Sequence, residues 1–208
     1  MKKTQRLTVG ALLVALAVVL SMVKVFELPF GGSITACSMV PVMLAGYLYG
    51  PKWGLLCGFA DGVLQGLLGA ATTQAFAGMG AGQAVAMACL DYLIAFSVLG
   101  LAGMFRKTIH KPTLSFALGC GVAAFLRFVT HTVSGALLYG SWAEWYFTQS
   151  GFYAWGATIL ERFSGTELSI VYSVIYNASY MIPETILSVV AAVLISRVKP
   201  IRKRMQID

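Results

Sequence analysis

The sequence predicts an all-α, polytopic membrane protein with six transmembrane helices in one bundle. Of its 208 residues, 58% are hydrophobic and only 11% are charged, which is roughly half the charged fraction of soluble globular domains. The apolar residues fall into six stretches, and a bilayer core needs about 20 apolar residues per helix. Six spans with short connections occupy nearly all of the chain, so we expect one domain over residues 1–208.

The predicted spans follow these apolar stretches. They cover residues 8–26, 33–49, 53–71, 84–105, 113–138 and 170–197. The second and third spans are short, and the Gly50-Pro51 step between them breaks a helix, while Lys52 can reach lipid headgroups. The fifth and sixth spans are separated by a long polar segment from about Gly140 to Ser169.

The basic residues predict the orientation. A net charge of +7 can indicate a nucleic-acid partner, but here the basic residues cluster at the ends of apolar spans, so the expected partner is the lipid bilayer. If the N-terminus is inside, the outer segments hold only Lys24 and Arg162. The positive-inside rule then predicts cytoplasmic termini. The cytoplasmic segments hold Lys2, Lys3, Arg6, Lys52, Arg106, Lys107, Lys111, Lys199, Arg202, Lys203 and Arg204.

Ionisable side chains inside the spans are the first functional candidates, because each is costly in a bilayer. Arg127 and Glu184 fall near mid-membrane on consecutive antiparallel helices, and we expect a structural ion pair between them. That pairing leaves two carboxylates, Asp61 and Asp91. We expect both to face a cavity that is open to the outside and that favours a cation.

Further polar residues lie at the depth of Asp91. His131 is in the outer half of span five, and Tyr172 and Asn177 are in the outer half of span six. Such groups also join helices to one another or form proton relays, and both alternatives stay open. On span six, polar residues recur every three or four positions and form a stripe that must face protein or water: Ser173, Asn177, Tyr180, Glu184 and Ser188.

Aromatic residues crowd the outer end of span five and the segment that follows it. Most of them are typical of an interfacial belt, and one or two can close over an aromatic ligand. They are Tyr139, Trp142, Trp145, Tyr146, Phe147, Phe152, Tyr153 and Trp155.

Small residues form two seams. Glycine recurs every fourth residue of span three from Gly54 to Gly66, which favours close packing inside the bundle. On span one, Ala11 and Ala15 make a flat strip that suits an internal neighbour or a partner subunit equally. The sequence has no phosphate-binding loop of the G-x-x-x-x-G-K type, and we expect neither enzymatic activity nor a cofactor.

Four segments resemble the thiamine-specific substrate-binding (S) components of energy-coupling factor (ECF) transporters. The resemblance extends from about Thr8 to Val198 and implies a six-helix bundle in the bacterial cell membrane that captures thiamine on its outer side. It also implies association with a transmembrane coupling subunit and two ATPase subunits. The segments are GGSITACSMVPVML, LDYLIAF, RFVTHTVSG and YSVIYNASY, in spans two, four, five and six.

The resemblance also assigns roles to individual residues. Tyr139 stands where a tryptophan is expected, Asp61 stands where an aromatic residue is expected, and the segment between spans five and six is longer than in the family. A related compound, such as a pyrimidine precursor, therefore remains an alternative ligand. The residues that match the family's ligand contacts are Asp91, Tyr92, His131, Tyr139, Tyr172 and Asn177, and Ala11 and Ala15 match the strip that docks the coupling subunit.

The expected function is therefore that of a binding subunit without enzymatic activity, whose partner subunits hydrolyse ATP. A self-sufficient proton-coupled carrier is the alternative, with Asp91, His131 and Glu184 as its relay. A purely structural membrane subunit is a third hypothesis.

Overall fold

The structure is a computed structural model that describes residues 3–28 and 31–205. Its elements are mostly helical, with one antiparallel pair of short strands. In chain order they are α1 (Lys3–Ser21), β1 (Lys24–Glu27), β2 (Ser33–Thr35), α2 (Met39–Tyr49), α3 (Pro51–Thr72), α4 (Ala81–Gly103), α5 (Pro112–Leu138), α6 (Ala143–Phe147), α7 (Tyr153–Arg162), α8 (Gly165–Arg197) and α9 (Lys199–Met205).

Five helices, namely α1, α3, α4, α5 and α8, are long and apolar enough to cross a membrane, judged by length and composition. This confirms the expected all-α, polytopic membrane fold. The remaining apolar helix, α2, has 11 residues, fewer than the roughly 20 needed for a full crossing. Its residues from Met39 to Tyr47 are all buried, so α2 is surrounded by the other helices.

The predictions for the end of span one and the start of span two are wrong. Residues 24–26 and 33–35, which were assigned to these spans, belong instead to the β1–β2 pair, in which Lys24 lies opposite Thr35 and Glu27 lies opposite Ser33. The two strands have four and three residues, which is too short for their spacing to distinguish a strand from the end of a helix. The hairpin connects α1 to α2.

Glycines set how closely α3 approaches its neighbours. A Cβ atom at Gly54 or at Gly100 would overlap the backbone of the other residue, and one at Gly58 would overlap the backbone of Phe96. The glycine seam of α3 therefore packs inside the bundle, against α4. This close approach fixes the position of α4, the helix that carries Asp91 and Tyr92.

Helix α4 changes its winding along its length. It is α-helical over Ala81–Met87, π-helical over Ala88–Ile94 and 3₁₀-helical over Val98–Gly103. Asp91 and Tyr92 lie in the π-helical part, and such departures from regular winding are frequent at functional sites.

Helices α5 and α8 form the opposite wall of the bundle. All residues of the polar stripe on α8 are buried, as the spacing predicted: Ser173, Asn177, Tyr180, Glu184 and Ser188. At Gly135 of α5, an added Cβ atom would overlap the side chain of Ser173. The two helices therefore bring their polar groups into direct contact.

The segment between α5 and α8 is partly helical. Its helices α6 and α7 are connected by the 3₁₀ turn Ser150–Phe152. Phe147 is 1% exposed and Tyr146 packs edge-on against Tyr172, with their ring centroids 5.1 Å apart. This aromatic cluster holds the segment over the start of α8.

A candidate ligand-binding cavity

A cavity of about 1170 Å³ opens at one end of the bundle. Its walls come from the last residues of α1, the hairpin, the ends of α3 and α5, and the first halves of α4 and α8. It therefore lies away from the end where α1 begins and α8 ends. Six of the predicted ligand contacts line it: Asp91, Tyr92, His131, Tyr139, Tyr172 and Asn177.

Asp91 is the centre of a hydrogen-bonded network between α4 and α5. Its Oδ1 lies 2.9 Å from Nδ1 of His131, and its Oδ2 accepts a hydrogen bond of 2.7 Å from the Ser134 hydroxyl. Arg127 Nε donates to His131 Nε2 at 3.2 Å. The four residues form one continuous chain of donors and acceptors.

This series of hydrogen bonds determines which ring nitrogen of His131 carries the proton. An arginine Nε always carries hydrogen, so Nε2 of His131 must accept, and the ring proton then lies on Nδ1 and is donated to Asp91. His131 is therefore neutral, and Asp91 is an ionised carboxylate that accepts two hydrogen bonds. A carboxylate has about four acceptor positions, so Asp91 retains acceptor capacity toward the cavity.

Arg127 and Glu184 do not form the expected direct ion pair. Among the described residues, the acid–base pairs that lie within 4.0 Å are Lys24 with Glu27 and the neutral His131 with Asp91. Glu184 instead accepts hydrogen bonds from the Thr35 amide at 2.7 Å and the Thr35 hydroxyl at 2.6 Å. The guanidinium of Arg127 lies 4.2 Å from the ring centroid of Phe96. The amide and hydroxyl of Thr35 in the hairpin are thus the partners of Glu184, in place of the predicted Arg127.

The ionisable groups that line the cavity sum to an excess of one negative charge. Lys24 and Glu27 neutralise each other in a direct ion pair. The remaining charged groups are the Asp91 and Glu184 carboxylates and the Arg127 guanidinium, since His131 is neutral. In a poorly hydrated site, one uncompensated negative charge favours a monovalent cation.

Asp61 does not line this cavity, contrary to expectation. Its side chain is buried, with 1% of the residue exposed, and Gln65 Nε2 approaches its Oδ1 at 3.4 Å. Gln65 lines the cavity and also donates to the Ser21 hydroxyl at 2.9 Å. Asp61 is therefore sealed behind Gln65, on the α1 side of the bundle.

Aromatic rings form much of the cavity wall. Tyr92 is parallel to Phe96, with 6.5 Å between centroids and 7° between planes. The Tyr139 hydroxyl donates to the sulfur of Met87 at 3.4 Å, and burial raises the pKa of Tyr139, so this hydroxyl stays neutral. Trp142, which is 46% exposed, lines the cavity three residues further along the chain. A tryptophan is thus present at the cavity, next to the position where the resemblance led us to expect one.

Asn177 connects α8 to α5. Its Nδ2 donates to the carbonyl of Ser173 at 2.8 Å and to that of His131 at 3.3 Å, and its Oδ1 accepts from the Tyr180 hydroxyl at 2.7 Å. Asn177 thereby fixes the position of the α5 turn that carries His131. It joins the helices and lines the cavity at the same time.

Sequence reasoning did not select four aromatic residues of the cavity wall as ligand contacts, namely Phe96, Trp142, Tyr176 and Tyr180. Tyr176 and Tyr180 line the cavity together with Tyr172. The three tyrosines are four residues apart on α8, so they lie on one helical face, and that spacing was the available signal. The Tyr176 hydroxyl also accepts a hydrogen bond of 3.0 Å from the Gly32 amide of the hairpin.

Comparisons with known proteins agree with this architecture. A family model described as "Thiamine transporter protein (Thia_YuaJ)" matches residues 7–203. The thiamine transporter ThiT of Bacillus subtilis (strain 168) is 29% identical over 210 residues, which cover 96% of this chain and 94% of that protein. The solved structure of ThiT from Listeria monocytogenes shares the fold, with a TM-score of 0.61 and 23% identity over the whole of both chains. The chain therefore belongs to the thiamine transporter protein family, a family of membrane transporters and not of enzymes.

Proposed function

We propose that this chain is the substrate-binding subunit of an ATP-driven vitamin importer and that it captures thiamine from the outer side of the membrane. The observation that carries the proposal is the cavity, which combines one excess negative charge with aromatic walls. The family match and the Bacillus subtilis relative support thiamine as the ligand.

The chemistry of thiamine fits the groups that line the cavity. Its thiazolium ring carries a fixed positive charge, which complements the ionised Asp91. Its aminopyrimidine ring offers hydrogen-bond donors and acceptors and a flat face. Tyr92, Tyr139 and Trp142 are placed to stack on such a face, where aromatic and cation–π contacts contribute about 0.5 to 2 kcal/mol each.

The proposed orientation places the cavity outside. The cavity opens at the end of the bundle where α1 ends, while Lys3, Arg6 and the basic residues of α9 lie toward the other end. By the positive-inside rule, the basic end is cytoplasmic, and so are both termini. An engineered cysteine at Lys107 should therefore resist membrane-impermeant reagents in intact cells, whereas labelling at this position would reverse the orientation.

The exposed face of α1 supports a partner subunit. Ala11 and Ala15 are exposed, whereas Gly10, Val14 and Ala17 on the opposite face are buried in the bundle. A flat strip that faces away from the bundle is available to another helix. We propose that a transmembrane coupling subunit docks there and that two ATPase subunits supply the energy.

The docking proposal has a direct test. A bulky side chain in the strip, Ala15→Trp, should abolish uptake by cells and leave thiamine binding by the isolated chain unchanged, because it blocks the partner and not the cavity. Leu12→Trp, on the same exposed face but outside the strip, is the matched control. Equal loss of binding and uptake in Ala15→Trp would contradict docking at this strip.

A proton-coupled carrier remains the second candidate, because Asp91 and His131 are hydrogen-bonded as a relay requires. However, the next group along this chain is Arg127, whose guanidinium does not release its proton in proteins. Glu184, the third member of the expected relay, is bonded to Thr35 instead. The geometry therefore favours the binding subunit.

Titration calorimetry on the purified chain tests the ligand. Thiamine should bind at least about tenfold more tightly than its free aminopyrimidine half, which lacks the charge that Asp91 complements. Equal affinity for the two compounds would favour a pyrimidine precursor as the natural ligand. Absence of binding by either one would contradict the proposed function. Uptake that persists without any ATPase partner would favour the carrier.

A further inference from the structure

The described residues at the end of the bundle opposite the ligand cavity include many basic side chains and no acidic one. We call it the basic end and define it by residues 3–8, 46–53, 103–113 and 195–205. None of these described residues is Asp or Glu. The segments are in contact, since Arg106 bonds to Tyr47, Leu48 and Arg204. The basic residues are Lys3, Arg6, Lys52, Arg106, Lys107, His110, Lys111, Arg197, Lys199, Arg202, Lys203 and Arg204.

A second cavity, of about 410 Å³, lies within the basic end. It is formed between the last turn of α2, the segment that precedes α5, and α9. Its ionisable lining consists of Arg106, Lys107 and His110, together with the Tyr47 phenol. Pro112, the first residue of α5, also lines it. The positive end of the dipole of a 27-residue helix therefore faces the same space.

Arg106 has no acidic partner among the described residues. Its Nη1 donates to the carbonyls of Tyr47 and Leu48 at 3.0 and 2.7 Å, and its Nη2 donates to that of Arg204 at 3.4 Å. Its Nε is buried and has no hydrogen-bond partner among the described residues. Carbonyl dipoles orient the guanidinium but do not neutralise it, and a buried donor without a partner is costly. An anion in this cavity would supply both the countercharge and the acceptor.

Helix α9 covers the cavity from the side. Met205 is 1% exposed and Ile201 packs against the bundle core, whereas Arg202, Lys203 and Arg204 are exposed. The helix thus lies against the bundle with its basic face outward, which is the arrangement of helices at a membrane surface. The cavity lies where α2 ends and α5 begins, and the ends of apolar helices are where a bilayer places its headgroups.

We propose that this cavity binds the phosphate group of an anionic phospholipid, of the phosphatidylglycerol class. Basic pockets between membrane helices on the cytoplasmic side are suited to such headgroups. The bilayer itself supplies lipid headgroups as anions at this depth. A headgroup also fits a cavity of about 410 Å³ better than a docking protein does. The proposal concerns a different site from the thiamine cavity; it rests on the proposed orientation of the chain but not on the identity of the ligand.

Lipid retention by the purified full-length chain tests this proposal. Native mass spectrometry should show phosphatidylglycerol retained in preference to phosphatidylcholine. The double substitution Lys107→Gln with His110→Gln should weaken retention on the order of tenfold, because it removes one charge and one donor from the cavity. Lys52→Gln, which removes an exposed charge at the same end but outside the cavity, should leave retention unchanged.

Three results would overturn the proposal. Equal retention of the two lipids would exclude recognition of an anionic headgroup, and equal losses in the double variant and in Lys52→Gln would reduce the effect to general surface charge. Competition by inorganic phosphate alone, at concentrations comparable to those of the lipid, would identify a free-phosphate site. Thiamine titration of the double variant checks its fold, because its ligand cavity is intact.

Discussion

Two carboxylates inside the bundle, the half-buried Asp91 and the buried Asp61, show how differently one residue type is used in this protein. Asp91 accepts hydrogen bonds of 2.9 and 2.7 Å from His131 and Ser134, and it lines the large cavity. Asp61 receives one contact of 3.4 Å from Gln65 and has no access to the cavity. Depth and apolar surroundings, which made both residues candidates, therefore do not identify a ligand site. What distinguishes Asp91 is access to the cavity combined with hydrogen-bond donors that hold both of its oxygens.

Glu184 stands between these two cases. It lines the cavity, as Asp91 does, but the amide and hydroxyl of Thr35 bond to its two oxygens. Its charge therefore contributes to the potential of the cavity, while its hydrogen bonds hold the hairpin against α8. Changes at these three carboxylates or at their hydrogen-bond donors should therefore have effects of different size.

The largest effect is expected at Asp91. Asp91→Asn preserves the shape of the side chain and removes its charge, so thiamine binding should weaken by about 2 to 5 kcal/mol, as for truncated buried charge pairs. Titration calorimetry measures this loss. Glu161→Gln, an exposed carboxylate on α7, is the control and should bind as wild type does. If Asp91→Asn binds thiamine as tightly as wild type, Asp91 is not the ligand's countercharge.

An intermediate effect is expected at the hairpin. Thr35→Val keeps the shape and the backbone amide but removes the hydroxyl that donates to Glu184 at 2.6 Å. Leaving that carboxylate oxygen without its donor should lower the free energy of unfolding by about 1 to 3 kcal/mol. Denaturant unfolding in detergent measures the change. Thr35 bonds to both oxygens of Glu184, and Thr35→Ser retains the hydroxyl donor. This variant should therefore recover most of the lost stability.

A smaller effect is expected at Ser134. Its hydroxyl donates to Asp91 Oδ2 at 2.7 Å and is fully buried. Ser134→Ala should weaken thiamine binding by about 1 kcal/mol, because the carboxylate keeps its bond to His131 and water in the cavity can replace the lost donor. Calorimetry on Ser134→Ala and on Ser134→Thr, which keeps a hydroxyl, separates the hydrogen bond from packing. Unchanged affinity in Ser134→Ala would show that His131 alone orients Asp91.

Much of the fold follows from local features of the sequence. The spans predicted at 53–71 and 113–138 agree with α3 and α5 to within a few residues, because Gly50-Pro51 and Pro112 mark where these helices begin. The hairpin was missed because its strands have only four and three residues, too few for their spacing to distinguish a strand from the end of a helix. The π-helical winding around Asp91 has no local sequence signal at all.

The candidate site could be predicted where its residues lie on the long helices. Helical spacing and depth predicted that Asp91, His131 and Asn177 lie at the same depth in the membrane. All three line the cavity. The partner of Glu184 could not be found this way, since Thr35 is 149 residues distant in the chain and lies on a strand that was expected to be helix. Depth along the helices pairs Glu184 only with groups on other helices, such as Arg127, and not with a residue on a strand.

The smallest effect is expected at Asp61, and it gives the sharpest test of the difference between the two carboxylates. Asp61→Asn conserves shape, and an amide avoids the cost of placing a charge in an apolar interior, where the hydrogen bond described for it is a long one of 3.4 Å from Gln65. Thiamine affinity should therefore change by less than about 0.5 kcal/mol, and the free energy of unfolding should stay equal or rise. Paired titrations of Asp61→Asn and Asp91→Asn at the same pH measure the contrast directly. A comparable loss of affinity in Asp61→Asn and in Asp91→Asn would mean that the charge of Asp61 acts on the ligand through Gln65. Access to the cavity would then not explain the difference between the two carboxylates.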